Sequence, residues 1–276
     1  MNFTTIKFEE PEPGIGLLTL NRPDRLNAIN LDMVEDLHRL FYSLLGNETV
    51  RVFYSLLGNE TVRVLVVTGE GRAFCSGADL KDSRAQNEES KSFPSAAATL
   101  YAIQKRYADR ILEMRRIPQP VIAAVNGIAA GGGMCLAMAS DVIFAATEAG
   151  FVPSFINIGL SGGELGSSYF LPRLVGATRA AEILMTGRTV DAAEAERIGL
   201  ACRMVEGSRL METAFETARA MLQKSVYGLR LTKETLNQNI AAPSLEAAIE
   251  LENRNQSICC SAPDFMAAVE NFSRGK

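Results

Sequence analysis

The sequence predicts a mixed α/β core followed by a helical C-terminal region. Short apolar segments of strand length alternate with helical periodicity through most of the chain. The last part of the chain shows helical periodicity alone, and glycine-rich turns follow two of the strand segments. Strands mixed with helices, then helices alone, indicate an α/β core with an appendage. We place the core in residues 1–203 and the helical region in residues 204–276.

The composition is typical of a well-cored globular protein and argues against several classes. The 276 residues are 47% hydrophobic and 22% charged, with a net charge of −4. Such a chain lacks the basic face that nucleic-acid binding needs. We find neither a run of 18 apolar residues nor a signal-peptide pattern, so we expect a cytoplasmic protein that does not span a membrane. Five irregularly spaced cysteines and one histidine predict reduced thiols and no metal site.

The N-terminal part predicts a hairpin, a loop and a helix. Residues 3–8 alternate polar and apolar side chains, and after a turn residues 15–20 do so less cleanly. Residues 21–28 are a loop, and residues 31–45 place apolar side chains at helical spacing. Gly46 is a plausible C-terminal stop for this helix.

A twelve-residue segment then recurs unchanged. Residues 41–52, Phe-Tyr-Ser-Leu-Leu-Gly-Asn-Glu-Thr-Val-Arg-Val, are repeated as residues 53–64, so the tandem duplication spans residues 41–64. One copy is enough to connect the helix to the strand predicted at 65–68, and one pair is too few for a solenoid. Twelve extra residues would rotate a continued helix face by about 120°. We therefore expect the spare copy to form a surface bulge or a short added helix, without a functional role.

The rest of the chain predicts two more strands and a series of helices. Residues 69–80 are a glycine-punctuated loop, and residues 81–99 carry little pattern and are expected to be mobile. An amphipathic helix at 100–116 precedes strands at 121–124 and 142–145. The run 171–176 precedes the later helices, which are predicted at 178–186, 191–198 with Asp191 as its N-cap, 208–225, 226–239, 243–257 and 263–272.

The stretch 126–141 carries the clearest functional signal in the residues themselves. A strand runs into Gly131, Gly132 and Gly133, followed by a short apolar segment. Glycine lets backbone N–H groups come close to a ligand, and the first N–H groups of a helix have no partner within it. Such a turn can hold a developing negative charge on an oxygen. The alternative is a tight strand-to-helix turn packed against a neighbour.

Four motifs in one order resemble the crotonase superfamily, the enoyl-CoA hydratase/isomerase proteins. They are Leu20-Asn21-Arg22-Pro23 with Leu26-Asn27-Ala28, then Ala73-Phe74-Cys75-Ser76-Gly77-Ala78-Asp79-Leu80, then residues 120–127 with the triple glycine, and Leu171-Pro172-Arg173. The resemblance covers nearly the whole chain except one copy of the duplication and residues 83–99. It implies a spiral of ββα units and a C-terminal helical region used in trimerisation. It also implies an acyl-CoA thioester as the substrate, no separate cofactor, and a homotrimer or a dimer of trimers.

The resemblance further implies the residues of a site. Ala78 and Gly132 match the two backbone donors of the family's oxyanion hole, where two N–H groups on one thioester oxygen stabilise an enolate. The positions that match contacts with coenzyme A are Arg25, Leu26, Asp79, Leu80, Lys81 and Phe272, with Arg274 or Lys276 as further sources of charge.

The acids depart from those of the family's hydratases. The two glutamates that activate water there fall at Cys135 and Phe155, and neither side chain can act as a carboxylate base. Glu164 falls where dienoyl-CoA isomerase relatives carry an aspartate, if a single-residue insertion is assumed. In an apolar setting its pKa would be raised, as a proton shuttle requires. The alternative is a carboxylate that satisfies backbone donors at a helix N-terminus.

A single carboxylate beside an enolate can move a proton between two carbons, so we predict a Δ3-to-Δ2 double-bond isomerisation. The alternatives are an enoyl-CoA hydratase or another acyl-CoA lyase or hydrolase, and a non-catalytic acyl-CoA-binding subunit. Residues 159–163 also fit the G-x-S-x-G motif of serine hydrolases. That fold needs a histidine after the serine, and the only histidine, His38, precedes it. A dinucleotide site fails because Leu136 stands where the third glycine belongs.

Overall fold

The strands in the described part of the chain form two sheets. The computed structural model describes residues 2–45, 61–81 and 95–273, with side chains up to residue 270. In chain order the strands of these residues are β1 (Ile6–Glu12), β2 (Ile15–Leu20), β3 (Val64–Gly69), β4 (Ala73–Cys75), β5 (Val121–Val125), β6 (Ile128–Ala130), β7 (Val142–Ala146), β8 (Gly150–Val152), β9 (Val190–Asp191) and β10 (Arg203–Val205).

The larger sheet has the order β1-β2-β3-β5-β7-β10, and the smaller has the order β4-β6-β8-β9. The predicted hairpin is confirmed, since β1 and β2 pair antiparallel, with an irregularity between Glu9 and Glu12. The other pairs of the larger sheet are parallel. Strands β3 and β5 are buried along their whole length, as expected for parallel strands covered on both faces.

Within the described residues the helices are α1 (Leu31–Leu45), α2 (Ala96–Arg116), α3 (Gly132–Met138), α4 (Ser167–Val175), α5 (Ala177–Thr186), α6 (Ala192–Ile198), α7 (Leu210–Leu222), α8 (Val226–Asn239), α9 (Leu245–Ser261) and α10 (Pro263–Ser273). The chain therefore repeats one unit, in which a strand of the larger sheet, a short strand of the smaller sheet and a helix follow each other. The units β3-β4-α2, β5-β6-α3 and β7-β8-α4 confirm the predicted succession of ββα units. In the part of the chain that is described, no helix has the length and apolarity needed to cross a bilayer.

Several predicted boundaries are confirmed and others are wrong. Helix α1 has the predicted range, and the Asp191 side chain caps α6 by accepting the Glu194 N–H at 2.7 Å. Helix α2 begins at Ala96 instead of residue 100, because Ser95 caps a run of alanines with high helix propensity. The expected mobility of residues 82–94 concerns a segment that lies outside the described residues. The run 171–176 precedes α5 as predicted, but the motif Leu171-Pro172-Arg173 itself lies inside α4, a helix that the sequence did not predict.

The two ends of the duplication belong to different elements. Phe41 and Leu44 of the first copy are buried in the last turns of α1, while Val62 and Val64 of the second copy are buried where β3 begins. Continuity explains this choice, because only the first copy directly follows Leu40 and only the second directly precedes Leu65. The predicted bulge or added helix concerns residues 46–60, which lie outside the described part of the chain.

Helix α7 covers one face of the larger sheet. Its residues Leu210, Ala214 and Ala218 are buried in one cluster with Ile15, Val64, Val66, Ile122, Ala124 and Phe144 of the strands. The C-terminal helices are also attached through α8, whose Lys233 Nζ donates to the backbone oxygen of Gln119 at 2.8 Å and lies 2.9 Å from Asp141 Oδ2. Burial lowers the pKa of this lysine, while the contact with Asp141 favours its charged form. The division of the chain between residues 203 and 204 stays a prediction.

We predict that deleting residues 46–57 leaves the fold intact. Leu45 would then be followed by Gly58-Asn59-Glu60-Thr61, which repeats the sequence that follows Leu45 now, and no described residue is lost. A shorter connection lowers the entropic cost of loop closure by roughly 0.6 kcal/mol for each halving of its length. We therefore expect an unchanged circular dichroism spectrum and a midpoint of thermal unfolding that is equal or higher.

The matched control is the deletion of residues 46–63. It joins α1 directly to β3 and removes the buried Val62, so it should abolish cooperative unfolding. If the protein without residues 46–57 also lost its cooperative transition, the conclusion that one copy of the repeat is dispensable for the fold would be wrong.

Candidate active site

Ala78 lies in a loop segment that pairs with Ile29. The Ile29 N–H donates to the Gly77 oxygen at 2.7 Å, and the Asp79 N–H donates to the Ile29 oxygen at 2.9 Å. Because peptide groups alternate in direction along an extended segment, the Ala78 N–H points to the opposite side from Ile29. This direction leaves it available for a ligand.

Gly132 is the first residue of α3, so its N–H has no acceptor within the helix. The preceding Gly131 has φ +50°, a conformation that favours glycine, and its N–H donates to the Val152 oxygen at 2.8 Å. A β-carbon added to Gly77 would lie 2.9 Å from the Ala130 oxygen and 3.4 Å from the Gly132 nitrogen. The two segments with the predicted donors therefore meet backbone to backbone, which the glycines permit.

Gly132 also faces an apolar pocket. Its lining residues are Ile29, Leu37, Tyr107, Arg110, Ile111, Gly132, Leu136 and Leu165. The cavity is narrow, with a volume of about 10 Å³. Helices α1, α2 and α3 and the segment before α4 each contribute to the wall. Gly132 therefore lies against an apolar wall that these elements build together.

Glu164 lies beside this wall, next to the lining residue Leu165. Its Oε1 accepts a hydrogen bond from Gln104 Nε2 at 2.6 Å, which crosses from α2. Burial raises the pKa of the Glu164 carboxyl, and the bond from Gln104 opposes that shift. The alternative was that this carboxylate accepts from N–H groups at a helix N-terminus. Its hydrogen bond is instead with Gln104 of α2, and not with the first turn of α4.

The backbone of Glu164 is fixed on both sides. Its N–H donates to Ser167 Oγ at 2.9 Å, and its carbonyl oxygen accepts from Cys135 Sγ at 3.5 Å. The next residue, Leu165, has φ +48°, a left-handed conformation that is uncommon for a non-glycine residue. Backbone strain of this kind is found preferentially at functional sites.

The two positions that the resemblance matches to the hydratase glutamates hold buried, uncharged side chains. Cys135 is fully buried in α3, and Phe155 packs its ring near Gly131. Burial raises the pKa of the Cys135 thiol above its ordinary value, and it raises that of Cys75 to about 12. Both thiols are therefore protonated near neutral pH and offer neither a base nor a thiolate nucleophile.

The loop around Arg22–Ala28 is held against the loop of Ala78 by polar side chains that the sequence did not single out. Asn27 is completely buried, and its Nδ2 donates to the backbone oxygens of Glu70 at 2.9 Å and Ala73 at 2.8 Å. Its Oδ1 accepts from the Arg22 N–H at 2.8 Å. Both residues belong to the first sequence motif, which was the available signal.

The positions predicted along coenzyme A fall into two groups. Arg25, Leu80 and Lys81 are exposed, and the Leu26 oxygen accepts the Ser76 N–H at 3.0 Å, next to the loop of Ala78. The Asp79 carboxylate instead forms an ion pair with Arg22 at 2.8 Å and accepts from the Lys81 N–H at 3.1 Å. We therefore assign its charge to loop stabilisation. The side chain of Phe272, together with Arg274 and Lys276, lies outside the described residues.

The structure does not assemble a serine-hydrolase site. Ser161 Oγ accepts the Gly163 N–H at 3.1 Å, while His38 Nδ1 lies 2.9 Å from Glu113 Oε1, between α1 and α2. Among the residues with described positions, no group of three His, Cys, Asp or Glu side chains is arranged to hold a metal ion.

Comparisons with known proteins identify the family. A family model for enoyl-CoA hydratase/isomerase matches residues 10–274. The probable enoyl-CoA hydratase echA12 of Mycobacterium leprae is 43% identical over 246 residues, which are 89% of this chain and 79% of that protein.

Two solved structures are similar along most of their length. A probable enoyl-CoA hydratase/isomerase from Mycobacterium abscessus has a TM-score of 0.85 at 35% identity, covering 99% of this chain and 97% of that one. A monofunctional enoyl CoA isomerase from M. smegmatis has a TM-score of 0.69 at 40% identity, covering 89% and 98%. With these matches and the ββα units described above, the chain belongs to the enoyl-CoA hydratase/isomerase family of the crotonase superfamily.

Proposed function

We propose that the protein binds an acyl-CoA thioester and moves the double bond of a 3-enoyl group to the 2-position. The observation that carries this proposal is the half-buried carboxylate of Glu164, which lies beside the apolar pocket that Gly132 faces. The similarity to an enoyl CoA isomerase of M. smegmatis supports the same reaction class.

The Ala78 and Gly132 N–H groups bind the thioester oxygen in this proposal. Removal of the C2 proton places negative charge on that oxygen as an enolate, and two fixed donors stabilise the charge as it develops. Where one such donor has been removed in other enzymes, the transition state lost about 3–4 kcal/mol of stabilisation. Since both groups belong to the main chain, their positions depend on the loop contacts of Asn27 and on the approach of Gly77 to Gly132.

Glu164 carries the proton between two carbons. Its carboxylate takes the C2 proton, and the electrons of that C–H bond form the enolate. When the enolate collapses, a C2=C3 bond forms, the electrons of the C3=C4 bond take up a proton at C4, and Glu164 supplies it. The carboxylate is regenerated, and neither water nor a redox partner is consumed. The raised pKa of Glu164 suits a group that is alternately base and acid.

The surface outside the pocket fits the rest of the ligand and the assembly. The exposed Arg25 and Lys81 supply cations for the phosphates of coenzyme A, while Leu26 and Leu80 offer apolar contacts beside them. The C-terminal helices expose apolar side chains, namely Leu236, Ile240, Leu245, Ile249, Phe265, Met266 and Val269. An exposed apolar set of this kind supports assembly into a trimer, or a dimer of trimers.

The second candidate function is hydration of a 2-enoyl-CoA, with Glu164 activating a water molecule. It is favoured by the name of the M. leprae relative, a probable enoyl-CoA hydratase. It is disfavoured by the buried Cys135 and Phe155, which leave no second carboxylate at the positions where the hydratases carry one. A third outcome is a subunit that binds acyl-CoA without turning it over.

We predict that wild-type protein generates the absorbance of a conjugated thioester from 3-enoyl-CoA and does not consume that of 2-enoyl-CoA. Glu164→Gln should lower kcat by at least about a hundredfold, the lower end of the usual contribution of a general base. It should leave the Kd for acyl-CoA within about twofold, because Gln keeps the shape of the side chain and the carboxylate is not used for binding.

Glu148→Gln is the matched control, because Glu148 is an exposed carboxylate away from the pocket. It should have wild-type kinetics. Loss of the 2-enoyl absorbance would support the hydratase instead, and tight binding without a change in either substrate would support the silent subunit. Full turnover by Glu164→Gln would remove Glu164 from the mechanism.

The pH dependence of kcat/KM provides an independent prediction. Glu164 must be ionised to take the C2 proton, so the rate should rise with pH through the pKa of the free enzyme's carboxyl. Burial raises that pKa from the ordinary 4.5, so the acidic limb should lie at higher pH than for an exposed glutamate. A profile measured from pH 4 to pH 9 that stays flat down to an ordinary carboxyl pKa would contradict the assignment.

A further inference from the structure

We propose that Gln104 is a positioning residue for Glu164, holding one carboxylate oxygen so that the other faces the substrate in both protonation states. The catalytic part of this role rests on the proposed function, whereas the contact between Gln104 and Glu164 does not depend on it. The hydrogen bond of 2.6 Å joins residues that are 60 positions apart in the chain. It connects α2 to the segment that leads into α4.

The placement of Gln104 on α2 gives it access to the pocket wall. Residues three and seven positions further along a helix lie on the same face. For Gln104 these are Tyr107 and Ile111, and both line the pocket. The Ser95 cap, which accepts the Ala98 N–H at 3.2 Å, defines the start of this helix. Gln104 is therefore held on an ordered helix whose face looks toward the site.

The backbone of Glu164 is already fixed by Ser167 and by Cys135, so the freedom that remains is rotation of its side chain. A hydrogen bond to Oε1 limits that rotation and leaves Oε2 for proton transfer. The titratable groups of the pocket wall and of the contact with Glu164 are the Cys135 thiol of α3, which burial keeps protonated, and Tyr107 and Arg110 of α2. Arg110 is itself paired with Glu113 at 2.8 Å.

An amide suits this position because it offers both a donor and an acceptor. Its NH2 group donates to an ionised carboxylate, and its oxygen accepts from a protonated carboxyl after a half-turn of the terminal torsion. A proton shuttle passes through both states in each turnover. A lysine would support the anion alone, and a thioether of similar length would support neither.

The test compares Gln104→Met and Gln104→Lys with wild-type protein. In Gln104→Met both bonds are lost, and the bond to the ionised carboxylate is the stronger of the two. The pKa of Glu164 should therefore rise, so the acidic limb of kcat/KM should move to higher pH, and kcat should fall roughly tenfold, with KM within about twofold. In Gln104→Lys the fixed cation should move the limb to lower pH, while kcat stays below wild type. Opposite shifts from two substitutions at one position are not expected of a residue with a packing role alone.

Gln238→Met is the matched control, because Gln238 Nε2 donates to Glu234 Oε1 at 3.1 Å on the exposed face of α8. It removes the same kind of bond outside the site and should leave the limb in place. The midpoint of thermal unfolding should be similar for all three variants, so that the kinetic changes are not attributed to loss of the fold.

A measurement without turnover separates this inference from the proposed function. Carbon-13 NMR of glutamate carboxyls in wild-type, Gln104→Met and Glu164→Gln proteins identifies the Glu164 resonance and follows its titration. A higher pKa in Gln104→Met supports the positioning role even if no 3-enoyl-CoA is converted, in which case the proposed function fails alone. An unchanged pKa and an unchanged acidic limb would overturn the role of Gln104.

Discussion

The buried amide of Asn27 is the interaction on which the candidate site depends most. It joins the Arg22–Ala28 loop to the backbone at Glu70 and Ala73, on either side of the turn that precedes β4. The Ile29–Ala78 bridge comes directly after this loop in the chain and sets the direction of the Ala78 N–H, while Gly77 lies close to Gly132. In the proposed function the anion-binding groups are peptide groups, which have to be fixed through contacts of this kind because no side chain can adjust them individually.

The long elements were predictable from the sequence because their periodicity extends over many residues. Helix α1, the β1–β2 hairpin and the buried strands β3, β5 and β7 are confirmed. The short strands β4, β6, β8, β9 and β10 were missed, since two or three residues are too few to show an alternation. Pro172 obscured α4 in a similar way, because a proline is expected at the start of a helix and here lies inside one.

In the site, too, residues within local motifs were predictable, whereas residues whose role depends on contacts distant in sequence were not. The motifs placed Ala78 and Gly132 in segments that do meet, and counting from Leu171-Pro172 placed Glu164 beside the pocket. Gln104 carried no local signal, because its importance comes from packing between α2 and the segment before α4. Asp79 was expected to contact coenzyme A, yet its pairing with Arg22 depends on a loop 57 residues away in sequence.

The main-chain origin of the Ala78 and Gly132 N–H groups has a consequence for how such a protein can change during evolution. A substitution at a neighbouring position, such as 135 or 155, changes a side chain and leaves these two peptide groups in place. Under the proposed function, these peptide groups hold the ligand and the side chains around them decide the chemistry. A change of reaction then needs only side-chain substitutions, while the same backbone continues to bind the same class of molecule.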